Sequence, residues 1–146
     1  MGIKQKPYSL LLIAAIPLLI AGLVGANTPV DIHIHATYFI FPLASFFSIS
    51  SIILAILWLL YVLTKKWLFS EKLSWIHIVS SIVTALLIIA LPVVATYCYA
   101  GSESIKTYSH LTENVFTAFM LLITGQLIYF TNLCMGLSKR WQTNRH

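Results

Sequence analysis

"SIILAILWLLYVLTKKW", residues 51–67, is apolar without a break from Ile52 to Leu63 and is then closed by Thr64, two lysines and a tryptophan. A continuous apolar run ended by cations is the pattern of a membrane-crossing helix. It lacks the alternation of a half-buried strand or a barrel strand. Upstream, Ser45, Ser48, Ser50 and Ser51 form a streak of small residues within the same run, which extends over about 37–63. Small residues let membrane helices approach closely, so the streak is expected to mark a packed face.

Three further apolar runs lie around this one, at about 8–24, 75–99 and 112–137. A helix rises about 1.5 Å per residue and needs about 20 residues to cross the hydrocarbon core. The first run is at the short end of that requirement, and the others meet it. Composition agrees: the 146 residues are 59% hydrophobic and 9% charged. An average soluble domain is nearer a quarter charged, and a chain this small cannot hide so much apolar surface inside itself. The lipid bilayer must serve as the apolar solvent. The fold class expected is all-α, an integral membrane four-helix bundle forming a single domain over 1–146.

Orientation follows from the cations. Lys4 and Lys6 precede the first run, Lys65, Lys66 and Lys72 lie between the second and third, and Lys139, Arg140 and Arg145 follow the fourth. The other two connections hold only Lys106. Basic residues favour the cytoplasmic side, so both termini are expected there, in an inner or plasma membrane. Trp67, Trp75 and Trp141 then suit an inner interfacial belt, and Tyr38, Tyr97, Tyr99 and Tyr108 an outer one. The net charge of +5 does not point to nucleic acid, because these cations sit at the ends of apolar runs rather than among aromatics in a patch. The first run also has the form of a signal peptide, with Val24-Gly25-Ala26 as a small-residue cleavage site. Its apolar core is longer than a usual signal core, which favours a retained helix.

Isolated polar residues inside the runs have ordinary structural readings. Gln126 suits an interhelical hydrogen bond. His77, beside Trp75, suits the inner interface. Cys98 and Cys134 fall at opposite ends of antiparallel helices, too far apart for a disulfide, and suit packing. Pro17, Pro42 and Pro92 fall within or near helices, where proline tends to kink. Gly101 suits a C-terminal cap on the third helix, and Thr107 or Ser109 an N-terminal cap on the fourth, with Glu113 near the positive end of its dipole.

The remaining feature is "DIHIHATYFI", residues 31–40, with two of the five histidines and one of the four acids. In an extended segment alternate side chains share a face, so Asp31, His33 and His35 can converge on one point. Imidazole and carboxylate suit zinc, copper or manganese. His110, Glu103 or Glu113 can add a further ligand from the same side of the membrane. The spacing by itself also fits a solvated polar loop. The candidate metal residues are therefore His35, His33, Asp31 and His110, and the candidate cofactor is a divalent metal.

"VDIHIHATYFIF", residues 30–41, resembles a stretch of heme–copper oxidase (cytochrome c oxidase) subunit I of the form D-x-x-x-H-D-T-Y-[FY]-V-V-A-H-F-H. In that family the stretch leads from the outer face into a transmembrane helix, which is the polarity that the loop charges imply here. Asp31 matches an aspartate beside a heme propionate. His35 matches the histidine of a magnesium or manganese site, and Thr37, Tyr38 and Phe39 match T-Y-[FY]. The departures are as specific as the matches. Ala36 stands where the family has a metal-binding aspartate, and Leu43 and Ser45 stand where it has the heme-ligating histidines. Neither can ligate heme iron, so heme held by the oxidase pattern is not expected. The resemblance covers about ten residues, and subunit I has a dozen helices. It implies shared ancestry with a fragment of subunit I, and no oxidase activity.

Other enzyme classes find little in the sequence. No serine or cysteine stands in a recognisable motif with histidine, and no glycine loop suits phosphate. No charged residue falls at mid-membrane depth, which disfavours an ion-coupled transporter. The leading expectation is a non-catalytic membrane protein, an accessory or assembly component of a respiratory complex, whose partners are other membrane subunits or a second copy of itself. The alternative is a metal- or heme-binding redox protein using the outer His/Asp cluster. A small channel, lined by Gln126 and hydroxyl residues, is third.

Overall fold

The structure is a computed structural model describing residues 7–25, 27–34, 37–98 and 105–143, with side chains described outside 31–38, 95–98, 105–112 and 143. Four helices carry it: α1 (Ser9–Val24), α2 (Leu43–Thr64), α3 (Glu71–Cys98) and α4 (Ile105–Thr143). Three of them, α2, α3 and α4, are long and apolar enough to cross a membrane, and α1 is a shorter apolar helix. At about 1.5 Å per residue, α4 spans roughly 58 Å and overruns a hydrocarbon core of about 30 Å.

The fold is not wholly helical. Between α1 and α2 the chain forms an antiparallel hairpin of β1 (Pro29–Ile34) and β2 (Thr37–Pro42). The second helix therefore starts at Leu43 and not near residue 37. β-branched and aromatic residues in Thr37-Tyr38-Phe39-Ile40-Phe41 favour a strand, and Pro42 disfavours helical geometry in the residue before it. Pro42 itself is extended, with ψ of 138°, and serves as the N-cap of α2. The Leu43 N–H, one of the donors a helix start leaves unpaired, reaches the Thr28 carbonyl at 2.8 Å and ties α2 to the base of the hairpin.

Other boundaries move as well, including the end of α4, which runs to Thr143 rather than about 137. α3 begins at Glu71, four residues before the sequence suggested, and α4 begins at Ile105. Thr107 and Ser109 thus lie inside α4 rather than capping it. Gly101 lies outside the described residues.

Neighbouring helices run antiparallel. α1 lies along α2, where the Ser51 hydroxyl donates to the Ala15 carbonyl at 2.8 Å. Gly22 makes the closest approach, since a Cβ there would stand 2.9 Å from the Ser48 backbone nitrogen. Ser50 and Ser51 are buried, so the serine streak is a packed face as its residue sizes suggested. α3 lies along α4 in the same way.

Two apolar clusters fill the interior. One joins Leu11, Leu54, Tyr61, Ile78 and Tyr129 from all four helices. The other, nearer the hairpin, joins Val30 of β1 to Leu43, Phe46, Ile88, Ala118 and Leu122. The outward faces are also apolar, as at Ile52, Ile56, Leu63, Val83, Leu121 and Leu127. Against water these would be a liability, whereas against lipid tails they cost nothing. Outward-facing Thr117, Thr124 and Thr131 return their hydroxyls to carbonyls four residues back in α4, so these three donors are satisfied without water.

Candidate functional site

The polar residues of the interior converge where α2, α3 and α4 meet. Ser74, His77, Ser81 and Thr84 recur at three- and four-residue intervals, placing them along one stripe of α3. All four are buried. Gln126, Tyr129 and Asn132 do the same on α4, three residues apart. The two stripes face each other, and Tyr61 and Thr64 reach in from α2.

His77 is the hub, and its side chain is 0% exposed. α3 starts at Glu71, so His77 is already nearly two turns into the helix, and it is buried among its neighbours. Tyr61 Oη lies 2.9 Å from His77 Nδ1, and Gln126 Oε1 lies 3.2 Å from Nε2. Ser81 Oγ stands 3.4 Å from the same Nε2. The Gln126 amide nitrogen donates to the Leu122 carbonyl at 3.0 Å, which leaves its oxygen turned to the ring. That oxygen only accepts, so a ring with a single N–H carries it on Nε2. Nδ1 is then the acceptor, and the Tyr61 hydroxyl donates to it.

A second pair extends the network. Thr64 Oγ1 donates to the Leu60 carbonyl at 2.7 Å, so the Tyr129 hydroxyl, 2.8 Å away, donates to Thr64. The three rings pack as one group: Tyr61 and Tyr129 meet edge-on at 5.0 Å between centroids, and His77 lies 5.7 and 5.6 Å from them. One helical turn nearer the 65–70 connection, Asn132 is fully buried against Ser70 and Ser74.

The chemistry of this arrangement is cohesion. A general base needs an open face from which to reach a substrate proton. His77 has both nitrogens engaged by protein side chains and no exposed surface. Among the described residues every buried side-chain nitrogen and oxygen has a partner. In a lipid-surrounded protein such bonds join helices that the hydrophobic effect cannot hold together. Gln126 makes the interhelical bond its position suggested. The sequence does carry a signal for the rest, since the 74-77-81-84 and 126-129-132 spacings are helical stripes of polar residues within apolar runs.

The residues singled out for metal fare differently. Asp31 and His33 occupy alternate positions of β1, opposite Ile40 and Tyr38 of β2. His35 lies outside the described residues, and the side chains of Asp31, His33 and His110 are likewise undescribed. What the backbone does place together is β1 and α4, the helix that carries His110. Among the described residues no group of three or more His, Cys, Asp or Glu is gathered in metal-binding range. Cys134 is an outward-facing free thiol on α4, and the side chain of Cys98 is undescribed.

No family model matches the chain, and no curated protein or solved structure is significantly similar to it.

Proposed function

We propose that this protein is a non-catalytic, multi-pass integral membrane protein, a four-helix bundle with both termini cytoplasmic, acting as an accessory or assembly component of a respiratory complex. The observation that carries the non-catalytic part is the closed network at His77. The most chemically versatile side chain of the interior spends both ring nitrogens on Tyr61 and Gln126. The outward faces of α2, α3 and α4 are left apolar, suited to lipid or to the helices of a larger membrane partner. The topology rests on the cations at residues 4–6, 65–72 and 139–145. The link to respiration rests on the resemblance of Asp31, His35, Thr37 and Tyr38 to the outer turn of heme–copper oxidase subunit I. Leu43 and Ser45 at the heme-ligand positions argue for a non-catalytic relative of a fragment of that subunit.

The test is purification of the tagged full chain from its native membrane in a mild detergent, followed by native gel electrophoresis and an absorption spectrum. A stoichiometric complex with larger membrane subunits, in which any heme belongs to those subunits, is the expected result. A chain that runs alone and carries its own heme band counts against the proposal.

A second reading has one observation in its favour. β1, bearing Asp31 and His33, packs against α4, which bears His110. In that reading His35, His33, Asp31 and His110 hold a divalent metal at the outer mouth of the helices, and the protein is a metal-binding membrane protein.

A further inference from the structure

At the end of the molecule away from the hairpin, the 65–70 connection folds onto the last turns of α4 and leaves an open groove of about 520 Å³. Its walls carry Lys66, Lys139 and Arg140, together with Trp67 and Phe69. No carboxylate is among its lining residues. The groove has a firm base. A Cβ at Gly136 would stand 2.9 Å from the Phe69 nitrogen, so only glycine lets the connection lie this close to α4. Asn132 holds the adjoining Ser70 by its backbone. Lys139 is positioned over the Phe69 ring, with Nζ 5.5 Å from the centroid.

The height of the groove defines its surroundings. α2 ends at Thr64 and α3 begins at Glu71, so the groove lies where two apolar helices leave the bilayer. Trp67 and Trp141 are exposed at this level, as interfacial anchors are. Leu137 is exposed on the same face of α4 as Arg140, one turn deeper. Cations at headgroup depth, with an aromatic floor and an apolar flank beneath, match the chemistry of an anionic phospholipid: a phosphodiester above and acyl chains below. Basic pockets between transmembrane helices recognise anionic headgroups in this way.

We propose that the groove formed by Lys66, Trp67, Phe69, Gly136, Lys139 and Arg140 binds the headgroup of an anionic phospholipid. This rests on the reading of the helices as membrane-spanning, and not on which leaflet the groove faces or on the respiratory role. The test is native mass spectrometry of the detergent-solubilised full chain titrated with dioleoyl phosphatidylglycerol, dioleoyl phosphatidylcholine or inorganic phosphate. One phosphatidylglycerol should bind in preference to phosphatidylcholine, and added salt should weaken it. Removing a cation costs about fivefold in affinity near a charged headgroup, so Lys66→Gln with Arg140→Gln should lower binding by more than about tenfold. Lys65→Gln with Lys72→Gln, outside the groove lining, should leave it unchanged. Helical content by circular dichroism, and near-native binding by Arg140→Lys, separate lost binding from lost folding. Equal loss in the control pair would overturn the proposal in favour of diffuse surface charge. Phosphatidylcholine binding as tightly as phosphatidylglycerol overturns it too, as does inorganic phosphate competing at equal concentration. Failure of the membrane-spanning reading is visible separately, as protein that stays soluble without detergent.

Discussion

The side-chain amide of Asn132 pairs with both backbone groups of Ser70: the Ser70 N–H donates to Oδ1 at 2.8 Å, and Nδ2 donates to the Ser70 carbonyl at 3.0 Å. Nδ2 also donates to Ser74 Oγ at 3.0 Å, and the Asn132 carbonyl accepts from the Phe69 N–H at 3.3 Å. One buried residue on α4 thus fixes the start of α3 and the connection that precedes it.

Asn132→Leu keeps the branching at Cγ and the number of side-chain heavy atoms, and removes the side-chain bonds. It leaves the half-buried Ser70 N–H without its partner. The expected loss is about 1–3 kcal/mol, the range for leaving a buried polar group unsatisfied. Reversible unfolding in mixed detergent micelles measures it. A change under about 0.5 kcal/mol would mean that water already competes for these groups. The Phe69–Asn132 backbone bond should survive, so the helices should still assemble.

A second prediction concerns Tyr61 and His77, 2.9 Å apart at the hub. Tyr61→Phe removes one donor and leaves Nδ1 without its partner. His77→Leu leaves both the Tyr61 hydroxyl and Gln126 Oε1 without theirs, so it should cost more. The coupling in a double-mutant cycle should be about 0.6 kcal/mol and not above roughly 1.7, the range for hydrogen bonds between membrane helices. Additive single mutants would show that the bond contributes nothing. Selective nitrogen-15 labelling of histidine checks the proton assignment: His77 should report its hydrogen on Nε2. A hydrogen on Nδ1 would require the Gln126 amide to be turned over.

The same residues show how much was legible beforehand. The long helices were legible because a membrane span needs only a continuous apolar run, and residues 52–63 supply one without reference to anything else. The hairpin was not, because Thr37-Tyr38-Phe39-Ile40-Phe41 is as apolar as the helix it precedes. Periodicity cannot separate a short buried strand from a helix. Pro42 was the available signal, taken there for a residue within a helix. The partners of His77 were not legible, because its surroundings come from three helices at once. Tyr61 is 16 residues away and Gln126 is 49, and no local spacing encodes their meeting. For Asp31, His33 and His35, alternation in an extended segment was legible and is met at Asp31 and His33 of β1.

The third prediction is the sidedness of the chain. Single cysteines placed beside Asp31 and beside Arg145, in a background with Cys98 and Cys134 replaced by alanine, should react with an impermeant thiol reagent from opposite faces of the membrane. Replacement of Cys134 is needed because its thiol faces outward. The motive is the clustering of cations at three of the five inter-span and terminal segments, with Lys106 alone elsewhere. Labelling of both sites from one side would mean that α2, α3 and α4, the helices between them, do not all cross; a cysteine beside Lys4 tests α1, and should react from the same face as the one beside Arg145. α1 has 16 residues, so that is the helix on which the count of spans depends.

The last prediction decides between the two functional readings at the hairpin. If the outer cluster holds a divalent ion, His35 is its first ligand, with Asp31, His33 or His110 completing the set, since a site needs at least three ligands in fixed geometry. The purified wild-type chain should then carry one metal by elemental analysis, and His35→Ala should carry none. The helices should be unaffected, because among the described residues the cores around Tyr61 and Phe46 are built from side chains of the helices and Val30. Ligation requires neutral imidazole, so protons compete with the metal. Uptake should be complete at pH 8 and fall as pH drops through the ordinary histidine range, roughly 6.5. A non-catalytic relative of the oxidase fragment gives a different pattern: wild type and His35→Ala with equal, negligible metal at every pH. The substitution Ala36→Asp restores the family's missing carboxylate beside His35. Metal uptake gained by that variant alone would identify the turn as a site that lost one ligand, and no uptake in any of the three would leave it an ordinary polar hairpin.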